Sequence, residues 1–319
     1  MAQSSSHGVQ SQAAQSQGAH LAGVAAVLIA AILWGTTGTA ATFAPEVSPV
    51  AIGAAAMGFG GLLQALVALG GISRHRAAIR RNWRCLWLGA VAVALYPLAF
   101  YASMRLAGVT IGTLVSLGSA PLLSALIENR LDGLRLDRRW MVGAGIGLVG
   151  MALLSLAETG GHGVGGSHPL AGALLGLGAG LTYALYSWTA RRMMQRGISA
   201  RATMGATFGL GGLLLMPVLA LTGAAFLDSW GNAGVGIYMA VVPMFLGYLA
   251  FGYGLARVAA SLATTLTLFE PVVAALLAVA VVGERLDPVG WAGVALVVLC
   301  LLWLTLPVRD RASMAKEPI

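Results

Sequence analysis

Apolar runs of about twenty residues alternate with short polar links along most of the chain. A helix rising about 1.5 Å per residue needs that length to cross ~30 Å of hydrocarbon. The pattern predicts ten membrane-spanning helices, at 21–42, 48–71, 85–106, 109–128, 140–157, 170–190, 202–223, 234–255, 259–281 and 288–307. Several of these are rich in Gly and Ala, and the chain holds 44 glycines. Small residues let helix backbones approach closely in lipid. Residues 1–20, MAQSSSHGVQSQAAQSQGAH, break the pattern. They have no Lys or Arg, so they lack the basic start of a secretory signal and read as a disordered tail. Residues 308–319 read as a second, cytoplasmic tail.

Composition supports the membrane class: 58% of the 319 residues are hydrophobic and 9% are charged. That is too few charges to cover a water-facing surface. A net charge of +8 raises nucleic acid as a partner, but the arginines fall in short links and form no basic face. Arg74, Arg76, Arg80, Arg81 and Arg84, then Arg130, Arg135, Arg138 and Arg139, then Arg191, Arg192, Arg196 and Arg201, with Arg257, Arg309, Arg311 and Lys316, all fall on one side of the ten spans. Arg105 and Arg285 fall on the other. The positive-inside rule then places both termini in the cytoplasm. Cys85 and Cys300 are too few and too far apart for a disulfide framework or a metal site. No phosphate-binding loop, metal-ligand cluster or nucleophile-and-base pair is visible, so no cofactor and no enzyme activity are expected.

The two halves repeat. LAG at 21–23 recurs at 170–172, MGFGGLL at 57–63 resembles FGLGGLL at 208–214, Pro121 matches Pro271, RLD at 135–137 recurs at 285–287, and Gly143 matches Gly293. Each half, 21–157 and 170–307, has five spans, and an odd number forces the second to enter the membrane upside down. Inverted repeats are a signature of secondary transporters, whose substrate sites lie near the midplane between the repeats.

LWGTTG at 33–38, FYASMRLAG at 100–108, ALYSWTARR at 184–192 and FEPVVAALLAVAVVGERLD at 269–287 resemble the EamA domains of the drug/metabolite transporter superfamily. The resemblance implies ten helices in two EamA repeats. It also implies export of drugs or small metabolites, often proton-driven, through a cavity lined mainly by spans 1, 3, 4, 6, 8 and 9. Two departures stand out. The family often carries an arginine early in span two, where this chain reads Ala56-Met57. The first repeat also has Leu134 where the second has Glu284, and Glu128 stands seven residues after Pro121.

Glu270 is the leading functional candidate. A charged, unpaired carboxylate at mid-membrane costs at least about 2.5–3.5 kcal/mol, and such groups mark ion and proton pathways. The plain alternative is a protonated carboxyl that locks two helices. Pro121 and Pro271 are expected to kink their helices. Trp34, Thr36, Thr37, Tyr96, Tyr101, Tyr183, Tyr186, Tyr248 and Tyr253 could line one cavity, against ordinary packing or an interfacial belt. Thr264, Thr265 and Thr267 could join them, or bond back to their own helix. Glu128, with Arg130 and Asp132, reads as an interfacial charge reaching water or pairing locally. Glu284, Arg285 and Asp287 read as a solvated turn. The resulting expectation is a plasma-membrane secondary transporter that exports amino acids or related small metabolites, coupled to protons. A multidrug or hydrophobic-cation exporter is the alternative. Its partners are a small-molecule substrate, protons and the lipid bilayer, without nucleic acid; a homodimer stays open.

Overall fold

A computed structural model describes residues 2–158, 168–283 and 285–306, and Glu284 lies outside them. Ten helices are long and apolar enough to cross a membrane: α1 (Ala2–Ala41), α2 (Pro49–Arg74), α3 (Trp83–Ala107), α4 (Val109–Asp132), α5 (Arg138–Glu158), α6 (Pro169–Gln195), α7 (Ala200–Thr222), α8 (Trp230–Leu255), α9 (Ala260–Val281) and α10 (Pro288–Thr305). A short helix, Arg76–Arg81, joins α2 to α3. The apolar part of α1 is Gln17–Ala41, but the helix reaches back to Ala2, through residues expected to be a disordered tail. No proline interrupts that stretch, so a helix nucleated in the span can propagate into it.

Caps start the helices where the sequence supplies them. Ser48, Ser199 and Ser229 accept from the backbone N–H three residues on, opening α2, α7 and α8. The aspartates of the two RLD motifs share one task. Asp137 accepts from the N–H of Arg139 at the head of α5, and Asp287 accepts from that of Gly290 at the head of α10. Asp287 is therefore a helix cap as well as part of a turn.

Packing obeys the duplication. Helix α2 packs on α7 and α5 on α10; α3 packs on α6 as α8 packs on α1; α4 packs on α6 as α9 packs on α1. Exchanging the repeats leaves this set of pairs unchanged, as a pseudo-two-fold relation requires. The close pairs depend on glycine. A methyl added to Gly150 would sit 2.8 Å from the Gly293 carbonyl oxygen, and one on Gly293 would sit 2.6 Å from that of Gly150. One added to Gly61 would land on the Phe208 carbonyl.

The links rich in arginine gather at one end of the bundle, here termed the basic end. Trp188 donates to Asp132 at 2.6 Å, Arg192 also pairs with Asp132, and Arg196 donates to Asn82. Arg139 donates to the Trp303 carbonyl through Nε at 3.1 Å and also reaches the Leu306 carbonyl, tying α5 to the last turn of α10.

Two spans are not continuous α-helix. Helix α8 widens into a π-type segment at Ala240–Leu246, around Pro243. Helix α9 is a short helix Ala260–Leu266, a break at Thr267 and Leu268, a second helix Phe269–Leu277 and a π-type turn Ala278–Val282. Pro271 explains the break, since it can donate nothing to the Thr267 carbonyl and crowds it. The Glu270 N–H bonds that carbonyl instead, at 3.0 Å. Pro121, its counterpart, sits inside an unbroken α4.

Gly61→Ala should lower thermal stability in detergent by about 1–3 kcal/mol, because the methyl meets backbone that cannot move aside. Gly178→Ala, where a methyl meets nothing within 4 Å, should be neutral or stabilise by up to about 1 kcal/mol. Comparing unfolding midpoints of the two variants checks the contact.

Candidate substrate site

Six helices line a cavity that lies toward the end opposite the basic one. Helix α1 supplies Trp34 and Thr37, α3 supplies Tyr96 and Tyr101, α6 supplies Tyr183 and Tyr186, α8 supplies Tyr248 and α9 supplies Glu270. Helix α2 brings Gly53, Ala56 and Met57, one face at a helical spacing of three and four. No residue of α4 lines the cavity. Of the spans expected to form most of the wall, 1, 3, 6, 8 and 9 do so, and α2 contributes where α4 does not. Helix α4 lies behind α6, where Gly180 leaves room for Ser119 and the Ser116 backbone. The Ala56-Met57 pair that replaces the expected arginine is on the wall itself, and among the described residues no Lys, Arg or His is.

Aromatic rings close the floor. Tyr248 packs, tilted, at 4.3 Å from Phe208 and 4.7 Å from Trp34 between ring centres; Tyr183 and Tyr186 stack 5.1 Å apart. Their polar tips are held. The Trp34 indole N–H donates to the Pro243 carbonyl at 2.9 Å, in the π-type segment of α8. The Tyr183 hydroxyl bonds Thr267 at 2.9 Å, and the Tyr186 and Tyr248 hydroxyls bond each other at 2.9 Å. These bonds fix rings from three helices around one space, as buried tyrosines require.

Glu270 stands in the first turn after the α9 break, half-buried, with its side chain on the cavity wall. Among the described residues, no donor reaches its carboxylate. It is the one acidic side chain among the lining residues. The cavity measures about 60 Å³. At about 10–15 Å³ per water-sized sphere this is roughly four to six waters, the room of a small solute.

Seven of the ten residues expected to carry the site meet there: Trp34, Thr37, Tyr101, Tyr183, Tyr186, Tyr248 and Glu270. Three do not line it. Tyr253 is 45% exposed on the outer surface, with the Arg257 guanidinium 3.4 Å from its ring centre. It follows Tyr248 by five residues, about 140° around the helix. Thr264 is buried and donates to its own Ala260 carbonyl at 2.9 Å, the ordinary helical alternative. Thr267 sits behind Tyr183 and positions its hydroxyl. Ile52, Met57, Pro97, Phe100, Met239 and Met244 complete the wall, and apolar residues in apolar spans give no signal that would single them out.

Glu128 differs from its expectation. It is 2% exposed, and its carboxylate accepts from the N–H groups of Ala260 and Ser261 at 2.7 and 3.0 Å. The interfacial reading fails because its partners are backbone amides of a distant segment, which no local pattern shows. Among the described residues, no cluster of three or more His, Cys, Asp and Glu could hold a metal ion.

Comparison with known proteins matches this architecture. A solved crystal structure aligns over 94% of this chain and 99% of its own with a TM-score of 0.74 at 22% identity, which shows the shared fold. The uncharacterized transporter YwfM of Bacillus subtilis is 34% identical over 90% of this chain and 95% of its own length. The threonine/homoserine exporter RhtA of Escherichia coli K12 is 28% identical over 69% of this chain and 70% of its own. A probable terminal-alkyne amino-acid exporter of Streptantibioticus cattleyicolor is 21% identical over 90% and 97%. The EamA-like transporter family matches residues 21–156 and again 170–306, so this multi-pass membrane protein belongs to the EamA-like transporter family.

Proposed function

We propose that the protein is a secondary active exporter of amino acids or related small metabolites, coupled to protons through Glu270. In this reading the positive-inside rule puts both termini and the basic end in the cytoplasm and the cavity toward the outside. The observation that carries the reading is the position of Glu270: an acidic group without a protein donor, on the wall of a small midplane cavity, beside the break in α9. A carboxyl there can hold a proton when the site is dry and an ammonium group when the site is filled. Competition between the two for one group is what couples their movements in opposite directions.

The walls support an ammonium-bearing solute. Tyr and Trp faces attract cations, and the absence of Lys, Arg or His leaves nothing that would repel one. The solute's own carboxylate would be left to hydroxyl and backbone donors. The volume favours small solutes over large drugs. Relatives named as amino-acid exporters point the same way. A hydrophobic-cation exporter is the second reading, favoured by the same aromatic, cation-free wall. The proposal assigns the chain no catalytic step, and it is compatible with a monomer or a homodimer.

In proteoliposomes with an imposed pH gradient, wild type should move a small neutral amino acid such as threonine or homoserine against protons. Glu270→Gln should keep less than about one tenth of that gradient-driven flux. Equal gradient dependence in wild type and mutant removes Glu270 from coupling.

Competition separates the two substrate readings. Small neutral amino acids in millimolar excess should inhibit uptake of the labelled substrate, and tetraphenylphosphonium should not. Inhibition by the lipophilic cation alone selects the second reading.

A further inference from the structure

Helix α9 begins without a cap of its own. Its N-cap position is Ala259, which has no side-chain acceptor, and the chain there is extended, with ψ of 151°. The first amides of a helix need acceptors, most of all away from water. Glu128 supplies them from the other repeat, accepting from both Ala260 and Ser261. Arg191, near the inner end of α6, holds the opposite side of the same link. Its Nη1 donates to the Leu255 carbonyl at 2.9 Å and also to the Val258 carbonyl, while its Nε lies 3.9 Å from the Glu128 carboxylate. One carboxylate thus grips the start of α9, and one guanidinium grips the end of α8.

The gripped link joins the two spans that are broken in mid-membrane. The Thr267–Leu268 break of α9 lies between the link and Glu270, and the π-type segment of α8 carries Met244 on the cavity wall itself. A second cavity, of about 250 Å³, adjoins the link at the basic end, lined among others by Glu128, Trp140, Ser261 and Leu262. It offers room for the start of α9 to move. The repeats also differ here. Ala278 stands where Glu128 stands, at the offset that pairs Pro121 with Pro271, and the matching end of α1 reads Ala40-Ala41-Thr42 without a cation. Among the described residues, the opposite end has no equivalent grip.

We infer that Glu128, backed by Arg191, is a latch that holds the basic end of the transporter shut and biases it toward the conformation open at the opposite end. This rests on the proposed function, in which the two repeats must expose the site to each side in turn. Glu128 touches no substrate; it is a positioning residue whose release lets α9 swing. Two charge-assisted bonds to backbone amides in a desolvated place are strong enough to set a population ratio and weak enough to break each cycle.

Distances between spin labels test this without requiring flux. In a background of Cys85→Ser and Cys300→Ala, one label pair goes at the exposed positions Arg130 and Ala256 at the basic end. A second pair goes at Phe43 and Leu227 at the other end, exposed by 65% and 89%. Glu128→Gln should add a longer basic-end distance and a shorter one at the opposite end, shifting the ratio of the two conformations roughly tenfold or more. Ala260→Pro attacks the latch from its other half. Proline is tolerated in the first helical turn and Ala259 is already extended, but the ring takes the place of the N–H and drives the carboxylate out. It should produce the same paired shift. Glu128→Asp, one methylene shorter, gives a milder perturbation if either variant folds poorly. A folded variant with wild-type distances at both ends overturns the latch. So does one whose basic end broadens while the other stays fixed, which marks a purely structural cap. Failure of proton-driven flux in wild type would count against the proposed function and leave these distances readable.

Discussion

Hydrocarbon offers the backbone no hydrogen-bond partner, so every N–H and C=O inside the membrane must be satisfied by protein. Breaks in a helix are therefore permitted only where other side chains or a water-filled space receive the freed groups. The two broken spans of this protein meet that condition at the cavity. The Pro243 carbonyl is taken by Trp34, and the Thr267 carbonyl by the Glu270 amide. The same constraint places Glu128 in the interior: the amides that open α9 have no local acceptor, and a carboxylate from another helix is recruited to them. Site and latch are two answers to one requirement.

The duplication supplies the architecture and its departures supply the chemistry. Pro121 and Pro271 occupy equivalent places, yet α4 stays continuous and α9 does not. Threonines account for part of this difference. Thr264, Thr265 and Thr267 all donate to carbonyls of their own turn, offering the backbone a local alternative to regular helix. The Thr267 hydroxyl also bonds Tyr183, which anchors the break to the second repeat's first helix. Helix α4 has Leu114, Val115 and Leu117 at the corresponding positions and keeps its ladder.

Much of this was legible in the sequence because periodicity and charge report on the bilayer directly. Span count, repeats and the gathering of arginines at one end follow from about twenty-residue apolar runs and their links. Glu270 could be found because an acid in an apolar run is costly wherever it points. Phase could not be read in the same way. Tyr248 and Tyr253 look alike in sequence and face different surroundings, and a helix that is apolar all round gives no moment to tell them apart. The wall contributed by α2 was hidden for that reason. Glu128 was hidden for another: its partners are peptide groups 132 and 133 residues away, and backbone donors have no sequence signature.

The short first helix of α9 connects these features mechanically. Seven residues, Ala260–Leu266, span about 10 Å. One end is held by Glu128, and the other meets the break that carries Thr267 and, within a turn, Glu270. A rigid segment of that length between a releasable grip and a flexible joint acts as a lever. Movement at the basic end, under the proposed function, alters the bond between Thr267 and Tyr183 at the cavity floor, and a proton or ammonium at Glu270 acts on the same joint from the other side. Under the proposed function, the coupling between proton, solute and inner mouth needs no long pathway, because one helix fragment touches all three.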